Sequence, residues 1–222
     1  MRLTKNTMQI LQNYTMINPS ILIEPGNVIR TVDAGKTVIG RAEVEENFPQ
    51  EFAIYDLPNF LQVIKMFDGA DIQFEDNHCL INYDDSNTIV RYMFAVPEAV
   101  ETVKKDIVMP PTEINFHLSE TQLASIIKAA TTMSLNQLVI SPDENAVILT
   151  VTDIDNSHSN NFRIKAQADL EISDFDVVIE MSKLVNLFPG SYNVGISSKK
   201  LSHFLGDNLQ YWVALNTNSN FD

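Results

Sequence analysis

The sequence contains few of the features that identify enzymes and secreted proteins. Cys79 is the single cysteine among 222 residues, which excludes a disulfide framework and a cysteine-based zinc site and fits a reducing compartment. Seven glycines occur, and none lies in the GxxxxGK pattern of a phosphate-binding loop. The four histidines, His78, His117, His158 and His203, show none of the spacings found in zinc enzymes. We therefore expect a protein without catalytic residues, cofactor or metal.

Long apolar runs are missing as well. No stretch of the sequence reaches the roughly 18 apolar residues of a membrane span. The opening residues, MRLTKNTMQILQNY, lack the apolar core of a signal peptide. The sequence therefore predicts a soluble cytoplasmic protein with no membrane partner.

Basic residues are scarce, since 15 Lys and Arg stand against 29 Asp and Glu and the net charge is −14. Four segments have the apolar periodicity of helices, namely residues 4–14, 57–67, 119–133 and 181–188. These helical segments, with Arg2 just before the first, hold a single acid, Glu120. They hold five bases: Arg2, Lys5, Lys65, Lys128 and Lys183.

Solvated helix faces usually carry both signs of charge, often as Glu–Lys pairs. The removal of carboxylates from four helices therefore favours a shared polyanionic ligand over an ordinary solvated surface. Gln9 and Gln12 lie on the polar face of the first helix together with Lys5. We predict that these two amides and the five bases contact DNA phosphates weakly and without reading bases.

Most of the remaining sequence reads as short strands separated by turns, and the pattern occurs twice. LTKNTMQIL at residues 3–11 corresponds to LSETQLASI at 118–126, and a strand, an acid and a short helix at 54–67 recur at 178–188. We therefore predict an α+β fold of two tandem similar domains, each with two helices packed on antiparallel sheets. The predicted domains are residues 1–108 and 109–222, with a connector at about 97–112.

The connector contains an apolar segment, Ile107, Val108 and Met109, followed by Pro110 and Pro111. Two interpretations of this segment remain open. It is either a strand packed on the sheet or the wall of a groove for a partner.

Three stretches resemble one protein family. They are MRLTKNTMQILQNYTMINPSILIEPG at the start, FAIYDLPNFLQVIKMF at 52–67, and YWVAL near the end with a short polar tail. They are similar to the sliding clamps of myovirus-type bacteriophages, which are DNA polymerase accessory proteins. The resemblance spans the chain and is strongest in residues 1–67.

The resemblance implies a DNA-clamp fold and a homotrimer, in which three subunits join head to tail as a closed ring. Helices would line the hole and encircle double-stranded DNA without sequence specificity, so that the clamp acts as a processivity factor in DNA replication. A clamp loader would open the ring with ATP, whereas the clamp itself would not be an enzyme. The expected location is the host cell cytoplasm.

The resemblance also implies a pocket for a peptide of the DNA polymerase and other partners. It places that pocket between the connector and the last strand. The implied pocket residues are Ile107, Val108, Met109, Trp212, Val213, Ala214 and Leu215.

Two other functions fit parts of the sequence. A duplicated β-rich scaffold could bind only protein and not encircle DNA. A metal-dependent hydrolase could use Asp153 and Asp155, but the Asn156 and Ser157 that follow are more typical of a turn with solvated acids.

Overall fold

The structure, a computed structural model, describes residues 1–67, 69–82, 88–103 and 107–221. The chain divides into two compact units, Met1–Asp106 and Ile107–Asp222. Each unit contains two helices and antiparallel sheets, which confirms the predicted α+β class. Within the predicted connector, residues 104–106 lie outside the described part of the chain.

Unit 1 begins with a helix and alternates helix and sheet twice. Its strands form a four-stranded sheet in the order β4-β1-β2-β3 and a three-stranded sheet in the order β5-β6-β7. The elements are α1 (Lys5–Tyr14), β1 (Ile21–Ile23), β2 (Gly26–Val32), β3 (Val38–Phe48), β4 (Phe52–Ile54), α2 (Leu57–Lys65), β5 (Asp71–Phe74), β6 (His78–Asn82) and β7 (Ile89–Met93).

Unit 2 repeats this layout. Its strands lie in the order β16-β12-β9-β10-β11-β8-β13-β14-β15. The elements are β8 (Ile114–Leu118), α3 (Glu120–Met133), β9 (Gln137–Asp143), β10 (Ala146–Thr152), β11 (Phe162–Leu170), β12 (Phe175–Glu180), α4 (Met181–Leu184), β13 (Tyr192–Ser197), β14 (Leu201–Leu205), β15 (Leu209–Ala214) and β16 (Asn220–Phe221).

The duplication extends to single hydrogen bonds. The order β4-β1-β2-β3 in unit 1 matches β12-β9-β10-β11 in unit 2. After β7, the Ala95 amide donates to the Ala53 carbonyl of β4 at 2.9 Å, and after β15 the Asn216 amide donates to the Val178 carbonyl of β12 at 2.8 Å. In both units the segment after the third strand that follows the second helix thus bonds to the strand just before that helix, which confirms two tandem domains of the same fold.

Helix boundaries agree with the sequence except in the fourth helix. This helix ends at Leu184 rather than at residue 188, because the chain turns toward Pro189. The turn is held by two buried tyrosines: Tyr192 donates its hydroxyl to the Phe188 carbonyl at 2.5 Å, and the Phe188 amide donates to the Tyr211 hydroxyl oxygen at 3.2 Å.

The connector segment 107–109 has no strand structure, and Val108 is 89% exposed. The interpretation of this segment as a strand packed on the sheet is therefore wrong. In the described structure the backbone of this segment pairs with no strand. Its apolar side chains lie at or near the surface.

Candidate nucleic-acid interface and apolar cleft

In unit 1, the two helices bring predicted DNA-contacting residues onto one surface. Lys5, Gln9 and Lys65 line a groove of about 380 Å³, and the Lys65 ammonium donates to the Gln12 side-chain oxygen at 3.0 Å. Arg2 reaches the same groove, since its Nη1 atom lies 3.7 Å from the position that a Cβ on Gly69 would occupy. All the predicted contacts of unit 1 therefore lie together and are exposed.

The described residues that line this groove include no acid. Besides the polar residues named above, its walls are apolar, formed by Leu3, Met8, Ile64, Phe67 and Ala70 with Gly69. A groove with cations at its rim and no carboxylate among these residues attracts an anion, although the chain as a whole is strongly acidic.

A carboxylate does lie close to α1, but it is inside the unit. Glu46 is 7% exposed on the core face of β3. It accepts hydrogen bonds from the Thr4 backbone amide and from the Thr7 hydroxyl. Its negative charge offsets Lys5, which sits at the first helical position, where the helix dipole disfavours a cation.

Unit 2 places its two predicted bases in different surroundings. Lys128 is exposed on α3, on the same polar face as Thr121 and Ser125. Lys183 on α4 is half-buried, and its ammonium donates to the Ala214 carbonyl at 2.7 Å. Lys128 therefore projects toward solvent, whereas Lys183 is engaged with the end of β15.

Unit 2 contains an open cleft of about 770 Å³. The segment Met109–Thr112 forms one wall, and strands β8, β13 and β14 form the floor and the opposite wall. The lining residues carry no formal charge apart from a titratable histidine: Met109, Pro110, Pro111, Thr112, Asn115, Phe116, Asn193, Val194, Gly195, His203 and Leu205.

His203 connects this cleft to Trp212. The two rings stack with centroids 4.9 Å apart and planes 14° from parallel, and the His203 Nε2 atom lies 2.8 Å from the Gln210 side-chain oxygen. Burial lowers the pKa of His203 and outweighs the opposing effect of Gln210. The imidazole is therefore neutral at physiological pH, and the cleft wall stays uncharged.

The predicted pocket residues are distributed unevenly around this cleft. Met109 lines it directly, and Trp212 reaches it through the stacked His203. Val213 and Leu215 are buried in the core, and the Ala214 carbonyl is occupied by Lys183. Ile107 is half-buried and Val108 is exposed, and neither lines the cleft.

Sequence reasoning missed most of the cleft, because the cleft depends on how β8, β13 and β14 pair, and the sequence does not show which strands pair. Along β14, Ser202 and Phe204 point into the core, so His203 and Leu205 point to the other face. A sequence-based assignment of β14 as a strand would have placed Leu205 on the face away from the core. Leu205 is a large apolar residue that is 43% exposed there.

The structure gives no support to metal-dependent hydrolysis at Asp153 and Asp155. Asp155 donates its backbone amide to the Asp153 carboxylate at 3.1 Å, as in an ordinary turn. Across residues 1–67, 69–82, 88–103 and 107–221, no three His, Cys, Asp or Glu side chains are grouped to hold a metal ion. Cys79 is buried, and burial raises the pKa of its thiol to about 12, so it is a packed side chain rather than a nucleophile.

None of the helices in the described ranges has both the length and the apolar character needed to cross a bilayer.

Comparison with known families shows which family the chain belongs to. A family model described as DNA polymerase processivity factor matches residues 4–99, and one described as gp45 sliding clamp, C terminal, matches residues 115–217. The sliding clamp of Vibrio phage KVP40 is 31% identical over 221 residues, which cover 96% of this chain and 98% of the relative. The sliding clamp of Enterobacteria phage T4 is 24% identical over 232 residues, with complete coverage of both chains.

A solved structure shares the fold at much lower sequence identity. The crystal structure of proliferating cellular nuclear antigen from Entamoeba histolytica superposes with a TM-score of 0.68 at 13% identity, covering 94% of each chain. The phage relatives confirm the resemblance found in the sequence and favour the clamp interpretation over a protein-binding scaffold. The chain belongs to the sliding clamp family of DNA polymerase processivity factors.

Proposed function

We propose that this chain is a non-enzymatic tether: three copies close into a ring around duplex DNA and hold a DNA polymerase on it. The observation that carries this proposal is the groove of unit 1, whose described lining residues include no acid and which has Arg2, Lys5, Gln9, Gln12 and Lys65 in or beside it, on a chain of net charge −14. The proposed site of action is the cytoplasm of the host cell in which the phage replicates.

The composition of this surface suits sliding better than tight binding. Each base that neutralises a phosphate releases counterions, so affinity rises steeply with the number of contacts. The groove of unit 1 offers three bases, and the Lys65 ammonium already has a neutral amide partner in Gln12. Contacts of this kind, partly through water and without base readout, leave the ring free to move along the duplex.

In unit 2, we assign phosphate contact to Lys128 and Lys183 to different degrees. Lys128 is exposed and can reach a phosphate as it stands. Lys183 must first leave the Ala214 carbonyl, at a cost of one charge-assisted hydrogen bond. Lys128 is therefore the stronger contact of the two.

Ring closure requires an edge on each side of the subunit. In unit 1, β7 is the terminal strand of its sheet and exposes Ile89 and Met93, at 61% and 53%. In unit 2, β11 pairs with β8 along Ala168–Leu170, whereas residues 162–167 pair with β10 alone in the described part of the chain. Pairing of β7 with this free stretch of the next copy is a heterologous contact, the type that generates rings.

The uncharged cleft of unit 2 is the proposed docking site for a peptide segment of the polymerase. Its lining combines apolar side chains with amide and hydroxyl groups, as in typical peptide pockets. Because the surrounding chain is acidic, an uncharged cleft favours an apolar segment over a strongly acidic one. An ATP-driven clamp loader would open the ring, and it would need access to the same cleft.

Charge reversal on the helices tests the proposed DNA surface. Replacing Lys5→Glu and Lys128→Glu together should reduce loading onto circular DNA and polymerase processivity by about tenfold or more, because several phosphate contacts are lost or become repulsive. The matched control is Lys36→Glu with Lys200→Glu, which makes the same charge change at exposed positions outside the helices.

Both double variants should retain the mass of a trimer in light scattering. The proposal is wrong if the helix variant loads and supports synthesis as well as the control. A wild-type protein that stays monomeric at working concentration would contradict the ring.

A further inference from the structure

The wall of the unit 2 cleft is fastened to its floor by two side chains. The Thr112 hydroxyl donates to the Asn115 side-chain oxygen at 2.9 Å, and the Asn115 side-chain amide donates to the Thr112 carbonyl at 3.2 Å. Both residues line the cleft. These two bonds tie the end of the segment Met109–Thr112 to strand β8.

Gly195 leaves the space in which Thr112 and Asn115 form these two hydrogen bonds. It lies on β13 directly opposite Asn115 of β8. A Cβ added to Gly195 would lie 2.9 Å from the Thr112 Cγ2 atom and 3.2 Å from the Asn115 side-chain oxygen. The first distance is shorter than carbon atoms tolerate, so Thr112 can hold its position only because residue 195 has no side chain.

The backbone of Gly195 does not itself require glycine. The glycines with a positive φ are Gly26 and Gly69, and Gly195 lies in the middle of a regular strand. Glycine weakens a strand interior, so its presence there indicates a close approach by another part of the chain. Thr112 is the part that approaches.

We propose that Gly195 is a positioning residue for partner docking, because it lets Thr112 settle on the sheet and thereby sets the place of the wall formed by Met109, Pro110 and Pro111. This inference rests on the proposed function of the cleft. A methyl group at residue 195 moves Thr112 outward. Because the φ angles of the two prolines are fixed, the segment absorbs little of this movement, and Met109 moves with Thr112.

The direct test is Gly195→Ala, measured as the affinity of the clamp for the purified DNA polymerase of the same phage by surface plasmon resonance. Affinity should fall by about tenfold, since the wall no longer fits the docked segment. The rescue variant is Gly195→Ala with Thr112→Ser. Serine lacks the Cγ2 atom that the new methyl would strike and keeps the hydroxyl that binds Asn115.

The double variant should recover most of the wild-type affinity, and Thr112→Ser alone should bind like wild type. A general loss of stability would not follow this pattern. Light scattering, which does not depend on the cleft, should be unchanged in all three variants. Wild-type affinity in Gly195→Ala, or a loss that Thr112→Ser does not rescue, overturns the proposal.

Leu205→Asp separates this inference from the proposed function beneath it. Leu205 lines the opposite wall and is 43% exposed, so an acid there should abolish docking without disturbing the core. If Leu205→Asp binds polymerase normally, the cleft is not the docking site and the proposed function of the cleft fails. If Leu205→Asp abolishes binding while Gly195→Ala does not weaken it, only the role of Gly195 fails.

Thr112→Val keeps the test decisive should Gly195→Ala fail to fold. Valine preserves the shape of residue 112 but removes the hydroxyl that binds Asn115. The wall should loosen and affinity for the polymerase should fall. Wild-type affinity in this variant also overturns the proposal.

Discussion

Glu113 shows how a single carboxylate connects the start of unit 2 to the turn between β13 and β14. Its two oxygens accept from the Ser198 amide and the Ser198 hydroxyl, both at 2.8 Å. Burial alone would raise the pKa of Glu113. The hydrogen bonds from Ser198 and the nearby Lys199 charge outweigh this effect, so the pKa of Glu113 is below its usual value. The ionised form is therefore bound more strongly in the folded chain.

A pH-dependent contribution to stability follows from this lowered pKa. The contribution is fully present above the ordinary carboxyl pKa of about 4.3 and is lost as the pH falls through the lower pKa of the folded state. Glu113→Gln should lower the thermal midpoint at pH 7 by about 2 °C, and the difference from wild type should shrink toward pH 3.

Calorimetry from pH 7 to pH 3 measures this difference. Glu171→Gln, an isosteric change at an exposed acid of the same unit, should leave the midpoint nearly unchanged. A difference between Glu113→Gln and wild type that stays constant across this range would contradict the assignment.

At the scale of single elements, helix α3 has the most complete start signal in the chain. The Ser119 hydroxyl oxygen accepts from the Gln122 amide at 3.3 Å, and the Gln122 side-chain oxygen accepts from the Ser119 amide at 3.0 Å. The Gln122 side-chain amide also donates to the Lys165 carbonyl of β11 at 3.3 Å. This capping box therefore fixes the helix start and links it to the sheet.

Ser119→Ala should reduce the free energy of unfolding by about 1 kcal/mol, because the Gln122 amide loses its acceptor. Urea denaturation followed by circular dichroism measures the loss. Ser125→Ala is the control on the same helix: its exposed hydroxyl donates back to the Thr121 carbonyl, and alanine is the better helix former. Equal destabilisation by both substitutions would show that the cap has no special role.

The helices could be predicted because each carries local signals. Thr4, Asp56 and Ser119 are the N-cap residues of three helices, and each accepts a hydrogen bond from an amide in the first turn. Strand β3 carries a weaker local signal. Its core face includes Gly40, Ala42 and Glu46 as well as larger apolar residues, so the alternation that marks a half-buried strand is interrupted.

The candidate sites differ in the same way: one could be predicted from local signals in the sequence and the other could not. The helix bases could be found from periodicity, which depends on neighbours in the sequence. The cleft could not, because His203 and Leu205 meet Met109 through strand pairing across many residues. The bond from Lys183 to Ala214 also joins residues distant in sequence, and no local pattern predicts it.

At the scale of the whole molecule, the exposed apolar edge of β7 is the feature that most needs a partner. Ile89 and Met93 share one face of this strand. Val96 lies just beyond it and is 64% exposed. Single exposed apolar residues are common on soluble proteins, but a row of them on an edge strand is a typical interface or an aggregation site.

Replacing Ile89→Lys and Met93→Lys should convert the proposed ring to monomers, because two charges would be buried at the proposed subunit contact. Light scattering at several concentrations measures the mass, and circular dichroism should show an unchanged fold. The control is Met16→Lys with Met66→Lys, which alters two equally exposed methionines away from β7. A full-size assembly in the β7 variant would place the subunit contact elsewhere.

The internal position of Glu46 has a consequence for how the proposed DNA-facing surface can change. The usual anionic residue at a helix start would sit on the first turn, next to any phosphate that approached α1. Here strand β3 supplies that anion from behind, so the same helix can be anchored by a negative charge and still present cations outward. The proposed contact with the duplex and the stability of the helix can thus be changed by separate substitutions. One set lies on the outer face of α1 and the other on β3, on the core side of the helix.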